Sequence, residues 1–238
     1  MSKKIKAKAV IFDFDNTLVD THGAINSAYE VIVRKLVEEF KLPDERLREE
    51  IRRAEKEVIY DVPPEKRVYE RKAVLRRLSE NLSLGIEETQ LMEFGELFYK
   101  FVAEEIRYPE YTGEVLETLK KKGKKLGLLT ATDVRPGLKK RRLDLLGFTG
   151  LFDSVVIAGE TIPQKKNNPI PFLELARMLC EKPEDTVVVG DSMDADIENA
   201  KEAGMKAILI DKYVEPNGGK HEPDTVIHDI KELLEIIE

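Results

Sequence analysis

The feature that most limits the fold of this 238-residue chain is a series of short apolar runs that are continuous rather than alternating. Continuous runs of this kind are typical of strands buried on both faces of a parallel sheet. From about residue 108 onward, helical patterns separate the runs, and this order predicts an α/β fold with helices on both faces of the sheet. The runs are 9–12, 126–129, 155–158, 187–189 and 207–210, with 226–227 as a short edge strand.

One long segment interrupts this alternation with helical patterns only. Ala28, Ile32 and Leu36 are typical of its apolar residues, which recur at spacings of three and four, as on one face of a helix. Four helices fit the segment, over about 21–41, 44–60, 64–82 and 86–107. We therefore expect two domains, which are a core formed by residues 1–20 and 108–238 and a helical domain inserted at 21–107.

Polar side chains follow four of the predicted strands, at the edge where open parallel sheets bind their ligands. In chain order they are Asp13 and Asp15, then Thr130, then Lys165 and Lys166, then Asp191 with Asp196 five residues on. Carboxylates placed together repel one another, and a hard divalent cation such as Mg²⁺ removes that conflict. A hydroxyl and an ammonium group beside them supply hydrogen bonds and charge for a phosphoryl group. The pattern therefore indicates Mg²⁺-assisted phosphoryl transfer.

The segment from Asp13 to Thr17, which reads DFDNT, resembles the DxDxT/V signature of the haloacid dehalogenase superfamily in the form found in its phosphatases. Thr130, Lys166 and the pair Gly190-Asp191 follow in the order of the remaining family motifs. The resemblance covers the whole chain. It implies a Rossmann-like parallel sheet core of the haloacid dehalogenase type, with an all-α cap domain inserted after the first motif.

The resemblance also implies the catalytic and metal-binding residues. Asp13 would be the nucleophile that takes the phosphoryl group as an aspartyl phosphate. Asp15 would protonate the leaving alkoxide and then activate the water that hydrolyses the intermediate. Mg²⁺ would be bound by the Asp13 carboxylate, the Asp15 backbone carbonyl and the Asp191 carboxylate. Asp196 would orient either the water shell of the metal or Lys166.

Phosphate binding is implied for the second and third motifs. The Thr130 hydroxyl and the Ala131 backbone amide would bind the phosphoryl oxygens, and Lys166 would neutralise charge between Asp13 and the phosphate. The chain departs from the common family pattern at Ala131, where Asn is frequent, and in the third motif, which reads Lys166-Asn-Asn-Pro. The Pro three residues after Lys166 favours that lysine, and Lys165 stays an alternative.

Four other functions compete with a phosphatase. A phosphomutase of the same superfamily would keep every motif, and it is the main alternative. A haloacid dehalogenase would lack the acid at Asp15, and a signalling receiver would lack both that acid and the helical insertion. An α/β-hydrolase that uses Ser192 would leave Asp13 and Asp15 without a role, and the second Gly of its GxSxG motif is missing.

Composition limits which binding partners and which cellular compartment we expect for the protein. Asp and Glu outnumber Lys and Arg by 46 to 39, for a net charge of −7, which disfavours nucleic acid as a partner. The basic runs 120–125 and 139–142 are predicted to be solvated faces near helix ends. No apolar stretch approaches the ~20 residues that span a bilayer, the first residues lack a signal-peptide pattern, and the single cysteine excludes an internal disulfide.

Together these features predict a cytoplasmic enzyme that is a monomer or a small homo-oligomer. The resemblance to capped phosphatases of the superfamily implies a small phosphorylated metabolite as the substrate, such as a sugar phosphate, a triose phosphate or phosphoglycolate. Charged residues make up 36% of the chain and Trp is absent, a composition that resembles thermophilic proteins.

Overall fold

A six-stranded, fully parallel sheet organises the α/β part of the protein, whose computed structural model describes residues 4–62, 70–215 and 219–238. The predicted parallel α/β fold is confirmed. The chain starts at the centre of the sheet and builds outward on both sides, so the strand order is β3-β2-β1-β4-β5-β6. The strands are β1 (Ala9–Phe12), β2 (Lys125–Ala131), β3 (Ser154–Ala158), β4 (Thr186–Gly190), β5 (Lys206–Ile210) and β6 (Thr225–Ile227).

Strand position explains the apolar runs. Every residue of β1 and β4 is buried, because each strand has a neighbour on both sides and lies inside the sheet. Strand β6 lies at an edge, and its Val226 is exposed. The central pair β1 and β4 is the place where the strand order changes direction, which is where a doubly wound sheet opens a crevice for ligands.

The chain divides into two compact units, one of residues 1–22 and 107–238 and one of residues 23–106. The second unit is helical, and its described residues contain no strand. Its helices are α1 (Thr21–Phe40), α2 (Asp44–Glu55), α3 (Arg71–Leu82) and α4 (Glu88–Glu104), and a π-helical turn, Lys56–Tyr60, continues α2. The first part of the helix predicted over 64–82 lies outside the described residues.

The helical unit has its own apolar core. Ala28, Ile32 and Leu36 of α1 are buried, as their spacing predicts, and they pack with apolar residues of the other three helices. Burial of this stripe, rather than intrinsic helix propensity, supplies most of the stability of such helices.

The helices of the α/β unit are α5 (Thr112–Lys121), α6 (Leu138–Asp144), α7 (Ile170–Met178), α8 (Glu198–Glu202) and α9 (Leu233–Ile236). Helix α7 lies so close to β2 that a Cβ atom at Gly127 would come within 3.0 Å of methyl groups of Leu175 and Leu179. The absence of a side chain at Gly127 therefore allows this helix to pack closely against one face of the sheet. Within the described ranges, no helix combines the length and the apolarity that a membrane span requires.

Candidate active site

The site is built on the loop that leaves the central strand β1. The backbone N–H of Asp13 donates to the carbonyl of Val189 at 2.9 Å, so Asp13 extends the pairing with β4 by one residue. The chain then turns back, because Asn16 has a φ of 58° and the N–H of Leu18 donates to the carbonyl of Phe14 at 3.1 Å. Asn tolerates this left-handed conformation better than most residues. The turn keeps Asp13 and Asp15 together at the carboxyl end of the strand.

A chain of buried charges begins at Asp13. The Lys166 ammonium hydrogen-bonds to Asp13 Oδ1 and lies 2.5 Å from Asp196 Oδ1, and all three side chains are buried. The second oxygen of Asp196 accepts a hydrogen bond from the backbone N–H of Ser192 at 3.1 Å. A Cβ atom at Gly190 would overlap the Asp196 carboxylate, so only glycine at that position admits it. Of the two roles expected for Asp196, this contact fits the orientation of Lys166.

Asp191 brings a third carboxylate to the same place. Carboxylate oxygens of Asp13, Asp191 and Asp196 lie within 4.8 Å of one another. Burial raises the pKa of Asp13 to about 7, although the Lys166 ammonium opposes the shift. Burial and the neighbouring carboxylates Asp13 and Asp196 raise the pKa of Asp191 to about 8. Burial and mutual repulsion therefore disfavour full ionisation of the three carboxylates, and the single lysine does not offset this.

This donor set fits a hard divalent cation. Mg²⁺ takes oxygen ligands and is typically held by one or two carboxylates together with waters and substrate phosphate. Asp196 is already engaged by Lys166 and the Ser192 N–H, so Asp13 and Asp191 are the carboxylates that fit the ion best. Thr17 donates a long hydrogen bond, 3.4 Å, to Asp191 Oδ1 and so ties the β1 loop to the end of β4.

Asp15 lies in a separate, charge-balanced group. Its Oδ1 accepts hydrogen bonds from the Thr21 hydroxyl and from Arg142 Nη2, both at 2.6 Å, and its Oδ2 accepts one from the Lys139 ammonium. Lys139 and Arg142 also contact the Asp133 carboxylate, at 2.9 and 3.2 Å. Partial burial acts to raise the pKa of Asp15, but Arg142 and Lys139 outweigh it and hold that pKa well below its ordinary value.

The sequence analysis missed this group. The basic run 139–142 was predicted to be a solvated face, and for half of the run this is wrong, because Lys139 and Arg142 are buried while Lys140 and Arg141 are exposed. The signal was the spacing of three residues, which puts Lys139 and Arg142 on one side of α6 and turns the two intervening residues away.

The predicted phosphate-binding residues lie at the end of β2, beside β1. Phe12 pairs with Leu128, so Thr130 lies two residues beyond that pair in the direction of the site. Thr130 is fully buried, and Ala131, the last residue of β2, is exposed. The structure also separates the two lysines, because Lys166 contacts Asp13 whereas Lys165 is exposed.

Ser192, the nucleophile of the α/β-hydrolase alternative, has a structural contact. Its hydroxyl accepts a hydrogen bond from the backbone N–H of Ala195 at 3.1 Å and so caps the π-helical turn Met193–Ile197. A serine that caps a helical turn in this way has its hydroxyl oxygen occupied by the backbone.

Comparison with known proteins identifies the family of the chain. A family model described as haloacid dehalogenase-like hydrolase matches residues 7–204, which includes every residue of the site. The chain belongs to this family. The recognition made from the motifs is thereby confirmed.

Three relatives match almost the whole chain. The glyceraldehyde 3-phosphate phosphatase of Methanopyrus kandleri and the phosphoglycolate phosphatase of Aquifex aeolicus are each 31% identical to it, with 97% of both chains covered. A solved structure from Thermotoga maritima, described provisionally as a beta-phosphoglucomutase, is 28% identical, with a TM-score of 0.70 and coverage of 96% of this chain and 97% of the other.

Proposed function

We propose that this enzyme is a Mg²⁺-dependent phosphatase that hydrolyses a small phosphorylated metabolite through an aspartyl phosphate on Asp13. That it hydrolyses phosphate monoesters follows from its family and from the two phosphatases that match its whole length. The observation that carries the mechanism is the buried contact of Asp13 with Lys166, beside Asp191, at the carboxyl end of the central strand. The substrate class is that of a sugar phosphate, a triose phosphate or phosphoglycolate.

The residues divide the chemistry between two groups. An Asp13 oxygen attacks phosphorus, the bond from phosphorus to the ester oxygen breaks, and Asp15 delivers a proton to the departing oxygen. This step needs the protonated form of Asp15, whereas Arg142 and Lys139 lower its pKa and so favour the carboxylate that acts in the second step. Water then attacks the aspartyl phosphate, gives its proton to Asp15 and releases phosphate with the Asp13 carboxylate restored. Lys166 orients Asp13 and offsets phosphate charge, and the Thr130 hydroxyl and Ala131 amide hold phosphoryl oxygens.

Asp13 and Asp191 are the side chains that would hold Mg²⁺, with the Asp15 carbonyl as a third ligand. When bound, the ion would neutralise charge on the phosphoryl oxygens and lower the repulsion between that group and the carboxylates. The raised pKa values of Asp13 and Asp191 agree with this assignment, because burial and the neighbouring carboxylates disfavour their ionised forms and a bound cation would favour those forms.

The helical unit is proposed as the cap that restricts the enzyme to small substrates. If residues 23–106 are replaced by a short Gly/Ser linker, Thr21 and its hydrogen bond to Asp15 are kept. We expect the shortened protein to lose most of its kcat/KM for the best small metabolite and to discriminate less among phosphoesters. Rapid turnover of a phosphoprotein by the intact enzyme would contradict this role.

The proposed function is tested with a panel of phosphomonoesters assayed for phosphate release, with Mg²⁺ and with excess chelator. We expect at least one small phosphorylated metabolite to be hydrolysed efficiently and chelation to stop the reaction. Asp191→Asn should need far more Mg²⁺ for half-maximal rate, and Asp194→Asn, an exposed neighbour, is the matched control. Full activity in excess chelator would contradict the mechanism.

The alternative is a phosphomutase, which the similarity to the Thermotoga maritima structure favours. Such an enzyme would return the phosphoryl group from Asp13 to a sugar hydroxyl instead of to water. Incubation with a hexose 1-phosphate separates the two, because a phosphatase yields free phosphate and a mutase yields an isomeric sugar phosphate.

A further inference from the structure

Helix α6 carries two buried cations that the proposed mechanism does not use. The side chains of Lys139 and Arg142 are only 2% and 4% exposed. Their neighbours Lys140 and Arg141 are exposed, and Lys140 forms a surface ion pair with Asp144. Basic side chains normally remain in water, because their burial carries a desolvation penalty that only specific charged partners offset.

Their shared partner is Asp15. Lys139 hydrogen-bonds to one oxygen of that carboxylate, and Arg142 donates to the other at 2.6 Å. The Asp15 side chain is itself 28% exposed, so the two cations lie on its inner side and leave an accessible face. Their contacts with Asp133 balance the group at two positive and two negative charges.

Two further contacts restrict where the cations can go. Arg142 Nη2 donates to the Thr21 hydroxyl at 2.9 Å, and that hydroxyl donates in turn to Asp15 Oδ1. The Lys139 ammonium and the Arg142 guanidinium carbon lie 5.5 and 5.3 Å from the centre of the Phe14 ring, within the range of a cation–π contact. Because Phe14 lies between Asp13 and Asp15 in the sequence, these contacts connect α6 directly to the β1 loop.

We propose that Lys139 and Arg142 are positioning residues that hold the Asp15 carboxylate in the orientation it needs for proton transfer. The inference rests on the proposed phosphatase mechanism. A buried ion network adds little to stability compared with apolar residues of the same volume, so fixed orientation is the property that it provides best. Two cations on separate oxygens fix both the position and the rotation of the carboxylate, which a single hydrogen bond would not do.

The test uses Lys139→Met and Arg142→Met, with Lys140→Met and Arg141→Met as matched controls on the exposed side of the same helix. The substrate is p-nitrophenyl phosphate, whose nitrophenolate leaves without a proton. Its release therefore reports phosphorylation of Asp13, whereas steady-state turnover also needs Asp15 to activate water.

We expect steady-state kcat to fall on the order of 10² in each test variant, the scale of a general-base contribution, while the first turnover keeps its rate within about tenfold. The variants should then show a burst of nitrophenolate close to one per active site. A merely structural role would slow the first turnover and the steady state together. That result, or an equal loss in the control variants, would overturn the proposal.

Two further results, a conservative variant and the activity of the parent enzyme, decide the outcome if the Met variants do not fold. If the Met variants unfold, Arg142→Lys keeps the positive charge but loses the forked contact with both Asp15 and Asp133, and it should show the same burst with a smaller loss in kcat. An Arg142→Lys variant that turns over at the parental rate would overturn the proposal. A parent enzyme that releases no phosphate from any monoester would instead overturn the proposed function.

Discussion

The helical unit and the cluster around Asp13 in the α/β unit each bury charged groups, but the charges are balanced differently. In the helical unit, Arg71 hydrogen-bonds to Glu55 and donates to the Tyr29 hydroxyl at 3.2 Å. Its guanidinium lies 5.8 and 5.6 Å from the ring centres of Tyr29 and Phe98, and its backbone N–H donates to the Tyr99 hydroxyl. One cation meets one carboxylate, and aromatic groups surround the pair.

The cluster at the end of β1 has three carboxylates against the single ammonium of Lys166. When all three carboxylates are ionised they repel one another, and the cluster then has an excess of two negative charges, which one divalent cation would balance. The Arg71–Glu55 pair is thus balanced within the helical unit, whereas the side chains around Asp13 do not balance its cluster when all three carboxylates are ionised. The following tests either break or sharpen this distinction.

The largest effect is expected for Asp13→Asn. Its kcat should fall by at least about 10³, because an amide cannot form the acyl phosphate. Thermal unfolding should not occur at a lower temperature, since the substitution removes one of three repelling carboxylates. The exposed Asp194→Asn serves as the control. Activity within tenfold of the parent would contradict the assignment of the nucleophile.

Lys166→Met should have the next largest effect. The variant leaves Asp13 and Asp196 without their shared cation, and we expect kcat to fall on the order of 10². Lys165→Met, one residue away and exposed, should keep kcat within about threefold of the parent, a change typical of a surface position. Paired kinetic measurements would reveal the reverse order if the motif were displaced by one residue.

Arg71→Met is expected to act on stability rather than on chemistry. Removal of the guanidinium leaves Glu55 half-buried without its charge partner, at a cost of about 3 kcal/mol in the free energy of unfolding. Arg77→Met, at an exposed position of the same helix, should change it by less than about 0.5 kcal/mol. Denaturant unfolding measures both, and an equal loss in the two variants would remove the distinction between them.

The last test concerns the pH dependence of stability in the metal-free protein. The pKa values of about 7 for Asp13 and about 8 for Asp191 exceed the ordinary carboxyl value of 3.8, so the folded state binds more protons than the unfolded chain between these limits. The free energy of unfolding therefore decreases as pH rises from about 4 to about 8. We expect the thermal midpoint to fall over that range and saturating Mg²⁺ to reduce the fall.

A flat thermal midpoint in the metal-free protein would contradict the charge imbalance. Asp13→Asn provides the internal check, since it removes one of the two titrating groups and should weaken the pH dependence.

Much of the fold could be predicted from the sequence, because elements that are buried have recognisable local patterns of apolar residues. The continuous run of β4, for example, predicted a strand that is buried on both faces, and all of its residues are buried. The helix predicted over 44–60 ends its regular α-helical part at Glu55 and continues as a π-helical turn, a change that no spacing of apolar residues marks.

The site was only partly accessible. Asp13, Lys166 and Asp191 follow strands, and their place in the sheet brings them together as expected. Lys139 and Arg142 lie in a run that looks solvated, and their burial depends on carboxylates that are distant in sequence. The sequence shows which residues share a helix face, but it does not show which distant residues that face will contact.

The position of β1 has a consequence for how the protein is made. Its two neighbours in the sheet, β2 and β4, follow the whole helical unit in the chain, as the pairings of Ala9 with Lys125 and Thr186 show. During synthesis the helical unit leaves the ribosome complete while β1 still lacks both partners, and pairings over such long separations form slowly. Strand β1, which Asp13 follows directly, is thus translated first but gains its second partner only when β4 has been made, and a nascent chain that stops before β4 also lacks Asp191.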